Sequence, residues 1–345
     1  MVDILLKLTF LCALLPSVLG ITSLESIFTL KSGINKGGCD TYKSKLSTWF
    51  DESVELAKAG VQCFQDAKKG EKAAKSTLKL LLGINGNTAA KEVKALEVFM
   101  EEILEFCEGG LQLDSGKYPR LFCGSGWLEQ QTWNDWSCTS TGNVKHEQVE
   151  CNGDLKLEPV TLAEDSLYSR WYEAGDLVPY WSADLEQYVF EQDYNRKGYC
   201  GFTGSLAGTQ SNTYPATMDI CASAFKYSKN GATLGVRSAQ TNTLSNLLPR
   251  SATFLHELFH LVHGTGATLD ASYNLETILA ALKSPKTVPK YFNLDSNEGG
   301  INSDKFTNLQ LVRANPETYV FLCVAYWYTI NKGYTFPTGE LGVEV

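Results

Sequence analysis

Apolar residues recur at three- and four-residue intervals from residue 41 to residue 107. This spacing places the apolar side chains on one face of a helix, so it predicts a series of amphipathic helices. Residues 83–87, which read GINGN, predict a loop between two of them. We expect these helices to pack together as a helix-rich N-terminal part of the core.

A different texture follows this segment. Residues 109–151 combine Gly, Ser, Thr, Asn and Trp with short apolar runs, which predicts small strands and turns. Residues 168–199 are unusually aromatic; we expect mainly packed rings, with a cleft wall or a carbohydrate-binding surface as alternatives. Residues 218–227 (MDICASAFKY) alternate like a strand and are our candidate for an edge strand that pairs with a substrate backbone.

The last third of the chain again predicts helices. Residues 251–264 (SATFLHELFHLVHG) form an apolar helix pattern, then a turn at residues 265–272 and a second helix at 274–283. A polar loop is expected at 293–304. Asn315 as N-cap and Pro316 at the first position start a final helix that is apolar nearly all round and should be buried. The fold class we predict is α+β, with a small sheet.

Composition narrows the classes of partner. The chain has 345 residues, 43% of them hydrophobic and 20% charged, and carries a formal net charge of −9. An acidic chain lacks the positive surface that nucleic acid or anionic lipid requires, so we expect neither as a partner. The absence of an internal repeat in the sequence argues against a structural role. We expect a monomer that acts on protein or peptide substrates.

Residues 1–20 (MVDILLKLTFLCALLPSVLG) have the form of a signal peptide. The alternatives are a membrane anchor and a buried first helix, but Lys7 and Pro16 interrupt a run that is short for a span. We therefore expect a secreted, extracellular protein with residues 21–345 as one elaborated domain.

Cysteine content agrees with secretion. Of ten cysteines, nine remain once Cys12 is removed with the signal peptide, which allows up to four disulfides and one thiol. Sequence proximity suggests the pairs Cys138–Cys151 and Cys200–Cys221.

The candidate chemistry lies at His256, Glu257 and His260, an H-E-x-x-H pattern that contains two of the four histidines in the chain. On a helix the two histidines share a face and can hold one metal ion, and the adjacent glutamate can reach a water beside it. The alternative is a chance match within an ordinary buried helix. Burying these groups without partners costs several kcal/mol, however, so they need solvent or a metal.

A catalytic zinc ion has three protein ligands as a rule. The residues that follow offer His263, Asp270, Glu276 and Glu298. His263 lies one turn too far along the helix to close on an ion between the first two histidines. Asp270 follows a Gly-containing turn that could return it to the helix, and Glu276 would serve if its own helix packed alongside.

Residues 266–273 (GATLDASY) resemble the G-T-x-x-D-x-x-Y-G signature of the aspzincins, the fungal deuterolysins and lysine-specific metalloendopeptidases. The resemblance implies a zincin-like fold, Asp270 as third zinc ligand and Tyr273 as support for the oxyanion. Ala267 and Asn274 depart from the signature at positions that are not ligands. The landmarks of the family occur in order between about residues 38 and 330, with residues 145–199 and 286–313 as insertions.

Residues 315–319 (NPETY) are similar to the family's N-A-D-x-Y stretch, whose acidic residue binds a substrate lysine on the leaving side of the cut. The resemblance therefore implies that Glu317 binds substrate. The alternative is a first-turn carboxylate favoured by the helix dipole.

The sequence thus predicts a secreted zinc metalloendopeptidase with Glu257 as general base. Two alternatives stay open: a catalytically silent binding protein or effector on a peptidase scaffold, and a peptidase that uses Glu276 as its third ligand.

Overall fold

The computed structural model describes residues 22–344 except 114–115, 140–142, 152–153, 176, 194–197 and 286–305. The predicted signal peptide, the predicted polar loop at 293–304 and Glu298 lie outside these residues. The helices are α1 Leu24–Ile27, α2 Lys43–Lys69, α3 Lys72–Leu82, α4 Ala90–Cys107, α5 Ser169–Ala174, α6 Ala252–His263, α7 Leu275–Lys283, α8 Asn308–Ala314 and α9 Pro316–Lys332. The strands are β1 Thr29–Leu30, β2 Arg120–Phe122, β3 Glu129–Gln130, β4 His146–Cys151, β5 Asp154–Pro159, β6 Val178–Ser182, β7 Gln187–Glu191, β8 Ala207–Gln210, β9 Thr217–Ile220, β10 Tyr334–Thr335 and β11 Val343–Glu344.

The helical prediction for residues 41–107 is confirmed, with one break that it did not include. Helix α2 ends at Gly70, whose φ of 102° is a left-handed conformation that favours glycine. The predicted loop at 83–87 separates α3 from α4. Helix α2 packs against α3, α4, α6 and α9, so its apolar face lies in the main core.

A four-stranded sheet of order β1-β2-β9-β8 covers the other side of the core. Strands β1, β2 and β9 are parallel, and β8 is antiparallel to β9. The prediction that residues 218–227 form an edge strand is wrong: the strand ends at Ile220, and β2 and β8 pair with its two sides. All four residues of β9 are buried, as an interior strand requires. The edge nearest α6 is β8.

Two disulfides hold the sheet to its flanking loops. Cys39–Cys123 joins the segment after β1 to the end of β2, and Cys200–Cys221 joins a short 3-10 turn to the end of β9. The second pair was predicted. The pair Cys138–Cys151 is wrong, because Cys138 carries a free thiol whose sulfur lies 3.7 Å from the carbonyl of Trp136.

The other free thiols in the described chain, those of Cys63, Cys107 and Cys323, are buried. Burial raises the pKa of the Cys107 thiol to about 12, so this thiol stays protonated. Two disulfides are consistent with folding in an oxidising compartment. Over the described residues, no helix combines the length and the apolar character needed to cross a membrane.

The aromatic segment forms a small unit beside the main core. Strands β3, β6 and β7 form an antiparallel sheet, and β4 pairs with β5 as a hairpin. The ring of Phe190 stacks with those of Trp133 and Trp171 at 5.5 and 5.8 Å between centroids. Tyr172 is 51% exposed. The expectation of packed rings with some exposure is confirmed.

Helix α6 lies between the helices of the main core and the four-stranded sheet. It contacts α2, α4 and α9 on one side and β8 and β9 on the other. Its apolar side chains, among them Phe254, Leu258 and Phe259, are buried in the main core. This packing fixes the rotation of the helix and so determines where its polar residues point.

Candidate metal centre

The two histidines of α6 face each other across one helical turn. His256 and His260 are 4% and 6% exposed, and their Nε2 atoms lie 3.2 Å apart. A spacing of four residues brings side chains onto the same face of a helix, which explains the approach.

A turn after α6 brings a carboxylate to the same point. The helix ends at Gly264, and the backbone N–H of Thr268 donates to the Gly264 carbonyl at 3.2 Å, which reverses the chain. Asp270 Oδ1 consequently lies 2.9 Å from His256 Nε2 and 3.0 Å from His260 Nε2. His256, His260 and Asp270 form the one group of possible metal ligands found in the described chain.

The other candidates for a third ligand do not join this cluster. His263 stacks on Phe99 with 3.6 Å between ring centroids, and its Nε2 lies 2.9 Å from the Phe99 carbonyl oxygen. Glu276 is exposed in the first turn of α7. The geometry therefore favours Asp270 over Glu276 as the third ligand, a choice that the residue pattern alone did not make.

Hydrogen bonds behind the cluster determine which nitrogen of each histidine carries a proton. Thr268 Oγ1 donates to the Gly264 carbonyl at 2.8 Å, so it accepts from His260 Nδ1, 2.7 Å away. Glu317 Oε2 lies 3.1 Å from His256 Nδ1 and accepts its proton. In the neutral rings both Nε2 atoms then present lone pairs to the cluster.

The donor set fits zinc. Two imidazole nitrogens and a carboxylate oxygen converge with 2.9–3.2 Å between them. Ligand atoms at about 2.0–2.1 Å from a tetrahedral ion are about 3.3 Å apart, close to this spacing. Three lone pairs directed at each other repel unless a cation or a proton lies between them. Nitrogen and oxygen ligands of this kind suit Zn²⁺ better than Ca²⁺ or Mg²⁺.

Charges within the cluster are strongly coupled. Burial opposes ionisation of Asp270, but the adjacent His256 and His260 outweigh burial and hold the pKa of Asp270 well below its ordinary value. Burial also disfavours protonated His256, yet Asp270 and Glu317 outweigh it and raise the pKa of His256 well above its ordinary value. The cluster is thus built to attract positive charge.

Glu257 lies beside the cluster, held by the sheet edge. Its side chain is 6% exposed, and the hydroxyl of Thr209 in β8 donates to its Oε2 at 2.8 Å. Burial raises the pKa of Glu257, and the charges of His256 and His260 counteract this rise. A buried carboxylate with a raised pKa is a better proton acceptor than a solvated one.

Two tyrosines flank the same place. The Tyr273 ring stacks beside His256 with 5.3 Å between centroids and is 63% exposed. Desolvation of its hydroxyl, followed by the charges of Asp270 and Glu257, raises the pKa of Tyr273. Burial and the same two charges raise the pKa of Tyr199, whose ring lies over Gly208 of β8.

Three of these residues were not candidates in the sequence analysis. Thr209 belongs to no motif, Tyr199 is the last residue of the aromatic segment, and Thr268 occupies a variable position of the signature that residues 266–273 resemble. The Cys200–Cys221 bridge was the nearest available clue, because it anchors the residue after Tyr199 to the end of β9. Glu317 was singled out as a substrate-binding residue; it is 8% exposed, and its Oε2 lies 3.1 Å from His256 Nδ1.

Comparison of the chain with protein-family models, with curated proteins and with solved structures finds no match. The resemblance to aspzincins therefore rests on the motif residues and stays a prediction.

Proposed function

We propose that the protein is a secreted zinc-dependent metalloendopeptidase. The observation that carries this proposal is the convergence of His256 Nε2, His260 Nε2 and Asp270 Oδ1 at 2.9–3.2 Å, with Glu257 beside them. His256, His260 and Asp270 would hold the ion. When bound, zinc would supply Lewis acidity, which makes water a stronger acid and a peptide carbonyl a better electrophile.

Glu257 carries out both proton transfers of the proposed reaction. Glu257 accepts a proton from the attacking water while the water oxygen forms a bond to the carbonyl carbon of the peptide. The same carboxyl returns that proton to the amide nitrogen as the C–N bond breaks, so that a carboxylic acid and an amine leave. Tyr273, exposed next to His256, is the donor we assign to the developing oxyanion.

Strand β8 is the candidate partner for the substrate backbone. It lies at the edge of the described sheet and is tied to Glu257 through Thr209. An extended peptide that pairs with this edge would pass Glu257 and the metal ligands. This assignment replaces the one made for residues 218–227.

Lysine preference on the leaving side would require Glu317 to face the substrate, whereas this carboxylate is buried and bonded to His256 at 3.1 Å. The contact with His256 supports a role in orienting that ring.

The test is the variant Glu257→Gln. Removing the proton acceptor should lower the rate of peptide hydrolysis by about 10²–10⁴-fold, while zinc content measured by elemental analysis stays at the wild-type level. Glu276→Ala is the matched control, since it removes an exposed carboxylate near the cluster in sequence and should change neither value. Full activity in Glu257→Gln would refute the mechanism.

A further inference from the structure

A groove of about 540 Å³ lies at the C-terminal end of α6. Its walls come from the end of α6, from Glu102 of α4 with the segment that follows α4, and from residues 211–214 after β8. None of its lining residues belongs to the histidine cluster, whose two histidines lie one to two turns earlier on α6. Nothing in the proposed reaction uses it.

Two acceptor atoms meet in this groove. His263 Nε2 lies 2.9 Å from the Phe99 carbonyl oxygen, so this nitrogen carries the ring proton. In the neutral ring Nδ1 is then an acceptor, and it lies 3.4 Å from Glu102 Oε2. Burial lowers the pKa of His263 to about 4, which keeps the ring neutral near pH 7. A ligand cation with several N–H groups can donate to both of these atoms at once.

The groove continues the edge of the sheet. Thr209 of β8 bonds to Glu257, and two residues later the Ser211 hydroxyl lies 3.4 Å from the Thr265 hydroxyl just beyond α6. Residues 211–214 then line the groove. These residues belong to the turn that follows β8, so the groove lies beyond the C-terminal end of this edge strand.

We propose that this groove is a distal subsite that binds a lysine or arginine side chain of the polypeptide substrate, away from the bond that is cut. The proposal rests on the peptidase function for the identity of the occupant. Glu102 and His263 bind the cationic group, and the apolar wall formed by Val262 and Leu113 accommodates the aliphatic part of the side chain. The net charge of −9 favours such a ligand. Lys117 Nζ lies 4.8 Å from the centre of the Tyr214 ring at the rim, so we assign that ring no part in binding the cation.

The test measures binding without turnover. Fluorescein-labelled ten-residue Ala/Ser peptides with one central Arg, or with Gln in its place, are titrated with the full chain in the presence of a zinc chelator. We expect the wild-type protein to bind the Arg peptide roughly tenfold more tightly, as charge-assisted hydrogen bonds allow. Glu102→Gln should abolish the difference. Glu101→Gln, the same change on the neighbouring residue of α4, should retain it.

A second variant tests the histidine. His263→Phe keeps an aromatic ring on Phe99 but removes the acceptor, and it should also lose the preference while its circular dichroism stays native. Equal binding of the two peptides by the wild-type protein, or an unchanged preference in both Glu102→Gln and His263→Phe, would overturn the proposal. Equal loss in Glu101→Gln would do so too, because it would reflect net charge.

The proposed function fails separately. If the zinc-loaded protein prefers the Arg peptide but cuts no peptide, the subsite stands and the peptidase assignment falls. If it cuts peptides yet shows no preference for Arg, the reverse holds.

Discussion

Glu317 Oε2 lies 3.1 Å from His256 Nδ1 and links the first turn of α9 to the middle of α6. The glutamate is 8% exposed, so solvent screens the contact little. Its position in the first helical turn also places the charge where the helix dipole favours it. The contact fixes the His256 ring with Nε2 directed at Asp270, and a carboxylate behind a ligating histidine makes that histidine a stronger base.

Loss of this carboxylate should weaken zinc binding. We expect Glu317→Ala to lower zinc affinity by about 10–100-fold. Glu317→Gln should lower it less, because the amide oxygen can still accept the Nδ1 proton. Competition with a chromophoric chelator measures both, and circular dichroism checks the fold.

The same variants separate the two roles considered for Glu317. An orienting role leaves the ratio of kcat/KM between substrates with Lys and with Ala on the leaving side unchanged. If Glu317→Ala instead abolishes a preference for Lys while zinc affinity stays at the wild-type value, the substrate-binding role is correct and the orienting role is wrong.

The third ligand can be identified by metal content. Asp270 Oδ1 is 2.9–3.0 Å from both Nε2 atoms, whereas Glu276 is exposed on α7. Asp270→Ala should leave well under one zinc per chain after dialysis, and Glu276→Ala should keep a full equivalent. Native mass spectrometry measures this, and the opposite result would favour Glu276 as ligand.

The pKa of His263 should lie well below that of an ordinary histidine. Burial lowers its pKa from 6.5 to about 4, so folding keeps the ring neutral. The contribution of this neutral ring to the free energy of unfolding is fully present above the unfolded-state pKa of about 6.5. It is lost as the pH falls from about 6.5 to 4, by up to about 3 kcal/mol in total. Ring-proton NMR of the folded protein, with His263→Phe to assign the signal, should give a midpoint near 4; a midpoint at 6.5 would contradict the buried, neutral ring.

Of the two described disulfides, Cys39–Cys123 should contribute more to the free energy of unfolding than Cys200–Cys221. It spans 84 residues and the Cys200–Cys221 bridge 21. A disulfide restricts the unfolded chain, and more so when its loop is longer. Replacing both cysteines by alanine should therefore lower the free energy of unfolding by about 4–5 kcal/mol for the longer loop and by about 3 kcal/mol for the shorter one. Urea unfolding measures both. A larger loss for the shorter loop would show that contacts in the folded state dominate.

Elements whose signal is local were predictable from the sequence. The helices between residues 41 and 107, α7 with its cap Asn274 and α9 with Pro316 follow apolar periodicity and capping residues, which neighbours in sequence determine. The approach of His256 to His260 likewise follows from helix geometry. The local pattern at residues 218–227 did reveal a strand, but not its position in the sheet.

Features that depend on distant partners were not predictable. The place of β9 inside the sheet is determined by β2 and β8, and Cys39 pairs across 84 residues. The contact of Thr209 with Glu257 spans 48 residues. Such pairings reflect packing of the whole core, and no window of sequence contains them.

The most direct test of the peptidase assignment is digestion of an unfolded protein by the purified protein, with fragments sequenced by mass spectrometry. We expect cuts that a zinc chelator abolishes, that added zinc restores and that Glu257→Gln does not make. No cuts by protein shown to contain one zinc per chain, or cuts that persist in Glu257→Gln, would contradict the assignment.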